Sequence, residues 1–252
     1  MGGTTAPNLG IVVPAWNAGA LLGDTIRELL AALDGTGVEA DILVVDDGST
    51  DDTAEVARSF DDSRVELVRV EHGGVSAARN AGLAHLRNRI VTMLDTDDRF
   101  TSALLTDLLP RAVRRDAPPI VQGLVQDWYA DDGPGAQGSA KRSPYRSINL
   151  GAALYDAEVF RTVGLFDAGY TRHEDYDWYL RAYDLRVPKE NVEVVSLRYC
   201  RRADGLSRTS LAGDPTLARI HGAAIRRRRA GLAPMPAGFP EPGTYFGTPP
   251  KA

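Results

Sequence analysis

The sequence contains a single cysteine, Cys200, among its 252 residues. One cysteine excludes an internal disulfide and a zinc site built from cysteines, and it is consistent with a reducing compartment. No apolar run approaches the roughly 20 residues that a membrane-spanning helix needs. The N-terminal stretch MGGTTAPNLG has no basic segment followed by an apolar one, so we expect no signal peptide. A soluble, cytoplasmic protein is therefore expected.

The glycine-rich phosphate-binding motifs GxGxxG and GxxxxGKS/T are also missing. Their absence leaves no support for a Rossmann dinucleotide fingerprint or a P-loop. A net charge of -5 argues against a dedicated nucleic-acid-binding protein. Hydrophobic residues make up 43% and charged residues 25% of the chain, which is ordinary for a globular protein. The length allows one large domain with a sizeable core.

Short apolar runs alternate with helical periodicity in the first part of the chain. Strands are predicted at residues 10–13, 41–45, 65–70 and 89–94, and helices at residues 21–33, 51–60 and 76–86. This alternation predicts an α/β fold with a parallel sheet and helices on both faces. Ligands in such sheets lie at the carboxyl ends of the strands. The polar segments WNAG, DDGSTDD and DTDD fall at those ends, so we expect them to line one crevice.

The second part of the chain is less regular. Helices are predicted at residues 103–114, 157–163 and 174–183, and strands at residues 148–154 and 192–199. Residues 127–146 contain several glycines and prolines and are predicted to form a long loop. We expect one compact domain over residues 1–233, with a nucleotide-binding half (9–100), an acceptor half (101–210) and a proline-rich extended tail (234–252).

Three segments at the predicted crevice carry side chains suited to a nucleotide. Trp16 of VPAWN is either a rim residue or a flat surface on which a base stacks. Asp46 and Asp47 of DDGSTDDT belong to a turn and helix cap, and they can also accept hydrogen bonds from a base and a ribose. In HGGVSAARNAG the glycine pair lets the backbone approach a ligand, and Arg79 can reach a phosphate.

Three carboxylates, Asp95, Asp97 and Asp98, follow the apolar run IVTML in the segment MLDTDDRF. Like charges at the end of a buried strand are costly unless a positive charge neutralises them. Carboxylate oxygens suit Mg²⁺ or Mn²⁺, whose coordination is completed by water and substrate phosphates. The alternative is a solvated cap between strand and loop.

These four segments, in this order and spacing, resemble the inverting family 2 glycosyltransferases with the GT-A fold. The resemblance continues into GLFDAGYTRHEDYDWYLRA and covers roughly residues 9–210. It implies a mostly parallel Rossmann-like sheet flanked by helices. It also implies metal-dependent, inverting transfer of a sugar from a nucleotide sugar, with UDP favoured, to an acceptor hydroxyl. The acceptor would be a glycan, a lipid-linked molecule or a protein.

The resemblance also implies a role for each matching residue. Asp175 would be the catalytic base, and Arg202, where the family often has a metal-binding histidine, leaves a third protein ligand of the metal in doubt. The donor-site residues would be Pro14 and Trp16 beside the nucleotide base, Asp46 and Asp47 in the nucleotide pocket, Arg79 facing the diphosphate, Asp95 and Thr96 beside the ribose or metal, and Asp97 with Asp95 on Mn²⁺ or Mg²⁺.

The stretch TRHEDYDWYLRA offers alternatives to Asp175. Acidic residues are favoured at a helix N-terminus by the helix dipole, which explains their tolerance there without assigning chemistry to one of them. Glu174 would hold the acceptor or a loop, and Asp177 can pair with Arg181 one turn later. His173 is a rival base because its reference pKa lies near neutrality.

Two other functions compete with the glycosyltransferase. A sugar nucleotidyltransferase would need a glycine-rich, basic loop after the first strand, and VPAWNAG does not provide one. A non-catalytic nucleotide-sugar-binding module would lose DxD or the acidic pair at 174 and 175, and both are present.

Two further features concern partners and motion. The four arginines at 226–229 are predicted to be a solvated helix end, with peripheral docking to anionic lipid at the inner membrane surface as the alternative. A homodimer is one possible assembly. The loop 127–146, with Trp128, Tyr129 and Tyr145, is predicted to close over the sugar and acceptor.

Overall fold

The computed structural model describes residues 8–129, 143–201 and 215–232. Most of the predicted lid, Arg202 and the proline-rich tail lie outside the described residues. The strands are β1 (Asn8–Ala15), β2 (Glu39–Asp47), β3 (Val65–Val70), β4 (Ile90–Met93), β5 (Arg99–Phe100), β6 (Ile120–Trp128), β7 (Ala153–Asp156) and β8 (Lys189–Cys200). The helices are α1 (Gly19–Leu33), α2 (Thr53–Arg58), α3 (Val75–His85), α4 (Leu109–Ala112), α5 (Glu158–Val163), α6 (Glu174–Asp184) and α7 (Pro215–Arg229).

One eight-stranded sheet has the order β3-β2-β1-β4-β7-β6-β8-β5. Strands β1 to β4 are mutually parallel, and β7 lies antiparallel between β4 and β6. Because β8 is parallel to β6, both strands run in the same direction as β4. The carboxyl ends of six strands therefore lie at one edge of the sheet, which is the edge where the sequence predicts a crevice.

Helices cover both faces of this sheet, as predicted. Ile11 and Val13 of β1 pack in one apolar cluster with Ile26 of α1. Val12, which points the other way, packs in a second cluster with Ala78 of α3. This alternation follows the two-residue period of a strand, and it explains why β1 is a continuous apolar run. The α/β fold with a mostly parallel sheet is thereby confirmed.

The second half departs from the prediction in three places. The helix predicted at 103–114 begins as a π-helical turn, Leu104–Leu108, before α4. The strand predicted at 148–154 is wrong, because residues Leu150–Ala152 form a 3-10 turn and the strand begins at Ala153. The predicted loop 127–146 begins too early, because its first two residues belong to β6, a strand that the sequence analysis missed.

Helix α7 packs against α6 through the buried residues Ile220 and Ala224. The prediction of a solvated end with four free arginines is wrong for two of them. Arg228 Nη2 lies 2.6 Å from Asp184 Oδ1, and Arg227 Nη2 lies 3.6 Å from Asp184 Oδ2. Asp184 is buried and needs a positive partner. None of the helices within the described residues is both long and apolar enough to cross a bilayer.

Candidate active site

The loops after β1 and β2 are joined by hydrogen bonds at the carboxyl edge of the sheet. The Asn17 amide donates to Ser49 Oγ at 2.9 Å, and the Thr50 amide donates to Asn17 Oδ1 at 2.9 Å. The Ala18 amide donates to Thr53 Oγ1 at 2.8 Å. Asn17 has a positive φ of 47°, a conformation that asparagine tolerates better than most residues. The two loops therefore form one wall of the crevice.

Asp47, at the end of β2, holds the loop between β3 and α3. Its Oδ1 accepts from the Gly73 amide and its Oδ2 from the Gly74 amide, both at 2.9 Å. Gly74 precedes α3 with a φ of 85°, which a residue with a Cβ rarely adopts. The glycine pair is thus explained by this turn and carboxylate, and a contact of Asp47 with a base stays a prediction.

Asp46 is completely buried beside it. Its Oδ1 accepts from the Ser49 amide at 2.8 Å, while its Oδ2 lies 3.4 Å from Arg69 Nε without a hydrogen bond from any described residue. A buried carboxylate oxygen without a hydrogen bond is costly to keep. The ion pair with Arg69 offsets part of this cost, and a contact of Asp46 with a nucleotide stays a prediction.

Trp16 projects from the end of β1 and is 56% exposed, in contrast to Pro14, which lies inside β1 opposite Val45. The ring of Trp16 stacks on the ring of His72, with centroids 4.7 Å apart and an interplanar angle of 21°. An exposed tryptophan at the mouth of a polar crevice is suited to stacking on a nucleobase. The sequence analysis did not single out His72.

The DTDD segment contains a surplus of negative charge. Asp98 is 1% exposed, and its Oδ1 accepts from the Cys200 amide at 2.9 Å. Burial, reinforced by the negative charges of Asp95 and Asp97, raises the pKa of the Asp98 carboxyl well above its ordinary value. The segment is therefore anchored to β8 and retains a field that favours cations.

Arg79 of α3 joins this segment to α6. The guanidinium is 5% exposed and lies between two carboxylates, with Nη2 2.8 Å from Asp95 Oδ1 and Nη1 2.6 Å from Glu174 Oε1. Burial opposes its charge, but Asp95 and Glu174 raise the pKa of the guanidinium above its ordinary value. Both Nη atoms are thus already engaged, and a contact with a diphosphate stays a prediction.

Asp175 follows Glu174 in the first turn of α6. Burial, together with the negative charge of Glu174, raises the pKa of the Asp175 carboxyl to about 7, against the opposing effect of Arg79. Its Oδ1 accepts from the Tyr176 amide at 2.7 Å. The residue before the helix, His173, has a positive φ of 61°. A carboxyl that titrates near neutrality beside a cation-favouring segment is suited to proton transfer.

The loop before α6 is fixed to α3. Asn80 exchanges two hydrogen bonds with the backbone of Phe166, at 2.8 and 2.9 Å. Arg181 Nε lies 2.9 Å from Asp177 Oδ2, which confirms the ion pair predicted from their spacing. Asp177 is therefore occupied, which leaves Glu174 and Asp175 as the acidic residues of the first turn of α6 that lie near Arg79.

The family model that matches the chain is Glycosyl transferase family 2, over residues 10–160. The chain belongs to this family. The match contains the segments that carry Trp16, Asp46, Asp47, Arg79 and the DTDD carboxylates.

Individual glycosyltransferases share part of this sequence. Glycosyltransferase GlyG of Streptococcus pneumoniae is 29% identical over 128 residues, which are 50% of this chain and 41% of GlyG. Succinoglycan biosynthesis protein ExoU of Rhizobium meliloti is 40% identical over 102 residues, which are 39% of this chain and 29% of ExoU. The matched part of the chain thus spans less than half the length of either relative.

Solved structures support the fold. The crystal structure of S. aureus TarS 1-349 in complex with UDP-GlcNAc matches with a TM-score of 0.68 and 16% sequence identity. The match covers 91% of this chain and 68% of that one. At this identity the likeness concerns the fold alone, and it confirms the GT-A-like architecture.

The carboxylates of this site fit a divalent cation only if other ligands complete the coordination. No group of three or more His, Cys, Asp or Glu side chains within residues 8–129, 143–201 and 215–232 is arranged to hold a metal ion. The Thr96 carbonyl accepts a hydrogen bond from the Thr25 hydroxyl at 2.5 Å. This bond fixes the backbone between Asp95 and Asp97. The charge surplus around Asp98 and the partial exposure of Asp95 and Asp97 suit Mn²⁺ or Mg²⁺ with phosphate and water ligands.

A polar cluster that sequence reasoning missed lies at the carboxyl ends of β6 and β8. Asp127 is buried, and its Oδ1 accepts from the Tyr145 hydroxyl at 2.7 Å and lies 3.2 Å from Arg201 Nε. Tyr145 also exchanges backbone hydrogen bonds with Val125 at 2.8 and 2.9 Å. These contacts join β6 to Tyr145 and Arg201, and the lid stays a prediction.

Proposed function

We propose that this glycosyltransferase moves a sugar from a UDP-sugar to an acceptor hydroxyl with inversion, using Mn²⁺ or Mg²⁺. The observation that carries the proposal is the ion-paired bridge of Arg79. Its two Nη atoms connect Asp95 with Glu174, the residue next to Asp175. The bridge holds a carboxyl suited to be a base near the segment suited to hold a metal and diphosphate.

The donor would be held by the crevice at the ends of β1, β2 and β4. Trp16 would stack on the base, Asp47 would accept from the base N–H, and Asp46 would use its Oδ2 in the same pocket. Pro14 would shape the wall beneath the base. The fold-level likeness to TarS in complex with UDP-GlcNAc and in complex with UDP supports a uridine nucleotide.

The reaction needs one proton acceptor and a stabilised leaving group. Asp95 and Asp97 would hold a divalent cation, whose positive charge would stabilise the departing diphosphate. The acceptor oxygen forms a bond to the anomeric carbon on the face opposite the diphosphate, and the bond to the diphosphate oxygen breaks with its electron pair. Asp175 takes the proton of the acceptor hydroxyl.

The acceptor would be a growing glycan. ExoU is a succinoglycan biosynthesis protein, and GgaA of Bacillus subtilis, 30% identical over 100 residues, is a minor teichoic acid biosynthesis protein. These names support a glycan acceptor without identifying the sugar. A lipid-linked acceptor, peripheral membrane contact and a homodimer stay predictions.

The first prediction concerns the metal. We expect UDP to bind more tightly with Mn²⁺ or Mg²⁺ than with EDTA, because the DTDD carboxylates and the diphosphate share one cation. Asp97→Ala should remove the enhancement. Calorimetry of UDP binding measures both effects, and the exposed Asp61 provides a matched control in Asp61→Ala. Equal UDP affinity with EDTA and with Mn²⁺ would contradict the metal site.

The second prediction concerns the nucleotide. We expect UDP, in the presence of Mn²⁺, to raise the melting temperature of the protein more than GDP or dTDP does. The expected reason is that the Asp46 and Asp47 carboxylates accept from the ring N–H of a uracil stacked on Trp16 and from the ribose 2′-hydroxyl, which dTDP lacks. A larger shift with GDP or dTDP would show that the uridine assignment is wrong, and dTDP is then the replacement we favour.

A further inference from the structure

The ring of His72 covers one side of Trp16. The two rings are nearly parallel, with centroids 4.7 Å apart, although they belong to different loops of the crevice. Trp16 is nevertheless 56% exposed. The indole is therefore supported from one side and still offers surface to a ligand.

His72 is itself held in place by Asp47. Its Nδ1 lies 2.9 Å from Asp47 Oδ2 and 3.0 Å from the Asp47 carbonyl oxygen. The backbone of His72 also lies close to the loop after β2, since a Cβ at Gly48 would lie 2.9 Å from the His72 amide nitrogen. The carboxylate that fixes the imidazole is also the one bonded to the amides of Gly73 and Gly74. Trp16, His72 and Asp47 thus form one connected unit, which we call the base platform.

We propose that His72 is a specificity-determining residue that supports Trp16 from behind, so that the base of a nucleoside diphosphate stacks on the opposite face of the indole. The proposal rests on the proposed function. The result is a three-layer stack of imidazole, indole and nucleobase. An exposed indole without this support would lose rotamer freedom on binding, which lowers affinity.

The same residue also positions the group that reads the base. His72 and Asp47 are bonded to each other, so the imidazole fixes the distance between the stacking surface and the carboxylate that would accept from the base N–H. Stacking alone tolerates every base, because every base has a π-face. Discrimination therefore depends on the edge contact, and loss of His72 should weaken the preference for UDP as well as the affinity.

A different geometry gives the opposite result. If the base instead occupied the side of Trp16 that His72 covers, the imidazole would have to leave before the nucleotide could bind. Removing it would then strengthen UDP binding. The sign of the change in affinity distinguishes the two arrangements.

The test is calorimetric titration of the full chain with UDP and with GDP in the presence of Mn²⁺, on the wild type and on three variants. We expect His72→Ala to weaken UDP binding by about 3- to 10-fold, the size of one aromatic pair. His72→Phe retains a ring but loses the bond to Asp47, so it should recover most of the UDP affinity and not the preference over GDP. His85→Ala is the matched control, since His85 is an exposed histidine that pairs with Glu66.

The outcomes separate this inference from the function on which it rests. Wild-type protein that binds neither nucleotide would overturn the proposed donor class and the role of His72 with it. Wild-type protein that binds UDP, with equal or tighter binding by His72→Ala, would overturn the role of His72 alone. An unchanged preference for UDP over GDP in His72→Phe would show that the imidazole does not position Asp47.

Discussion

Replacing Asp175 with asparagine is expected to lower turnover by about 10²–10⁴-fold, the contribution typical of a positioned base. UDP and metal affinity should stay nearly unchanged, because the Arg79 bridge uses Asp95 and Glu174 and leaves Asp175 outside it. The substitution preserves size and removes only the ability to take a proton. Turnover of a UDP-sugar and calorimetry of UDP binding measure the two quantities separately.

The pH dependence should follow the same carboxyl. Asp175 must be ionised to act as a base, and its pKa lies at about 7. We therefore expect kcat/KM of the wild type to rise with pH through about 7. The remaining activity of Asp175→Asn should not show this rise with pH.

Although Asp175→Asn should lose turnover, it should be more stable than the wild type above neutral pH. The folded-state pKa of Asp175 lies above the ordinary value of 3.8 for an aspartate, so the folded protein holds this proton more tightly than the unfolded chain does. The corresponding stability is present at low pH and is lost as pH rises through about 7. Asparagine carries no charge at any pH, so Asp175→Asn should melt at a higher temperature than the wild type at pH 8.

Two other variants make the assignment of the base testable. His173→Ala removes the rival base, and Asp167→Asn changes an exposed aspartate of the same loop as a matched control. Both should retain most of the wild-type turnover. Near-wild-type turnover in Asp175→Asn, or a greater loss in His173→Ala, would show that the base has been misassigned.

The first half of the fold could be predicted because its signals are local. Strands β1, β2 and β4 each contain a continuous apolar run, β3 is a β-branched segment between polar turns, and a parallel sheet brings their carboxyl ends to one edge. Strand β6 could not be recognised in this way, because Gln122 and Asp127 interrupt its apolar pattern. Both residues are buried and have partners outside the strand: Gln122 Nε2 donates to the Ser147 carbonyl, and Asp127 Oδ1 accepts from the Tyr145 hydroxyl.

The sequence predicts which side chains lie at the site, but it does not predict how they pair with one another. Topology alone places Trp16, Asp47 and the DTDD carboxylates at one edge of the sheet. The sequence could not show that Arg79 pairs with Glu174, because the two residues are 95 positions apart and lie on helices of different halves. It also could not show that His72 lies against Trp16, because a histidine before a glycine pair is typical of a turn and carries no signal for a ring contact. The first pairing depends on how α6 lies against α3, and the second on how the loops after β1 and β3 meet at the edge of the sheet.

The largest expected loss of stability follows from breaking the Arg79 bridge. Arg79→Leu would leave Glu174 as a buried carboxylate without its positive partner, and removing one partner of a buried pair typically costs about 3–5 kcal/mol. Asp95 is partly exposed and recovers hydration, so we expect a value near the lower end. In a domain of this size the melting temperature should fall by roughly 6–12 °C.

A double-mutant cycle separates the structural part of this loss from the chemical part. Arg79→Leu combined with Glu174→Leu removes both buried charges, so the double variant should be more stable than Arg79→Leu alone. Turnover should not recover, because the double variant lacks the bridge between Asp95 and Glu174 that holds Asp175 near the DTDD segment. Thermal unfolding of the four proteins and turnover across pH measure the two effects. If the two single losses simply add in the double variant, Arg79 and Glu174 are not coupled, and the bridge cannot be what holds Asp175 beside the DTDD segment.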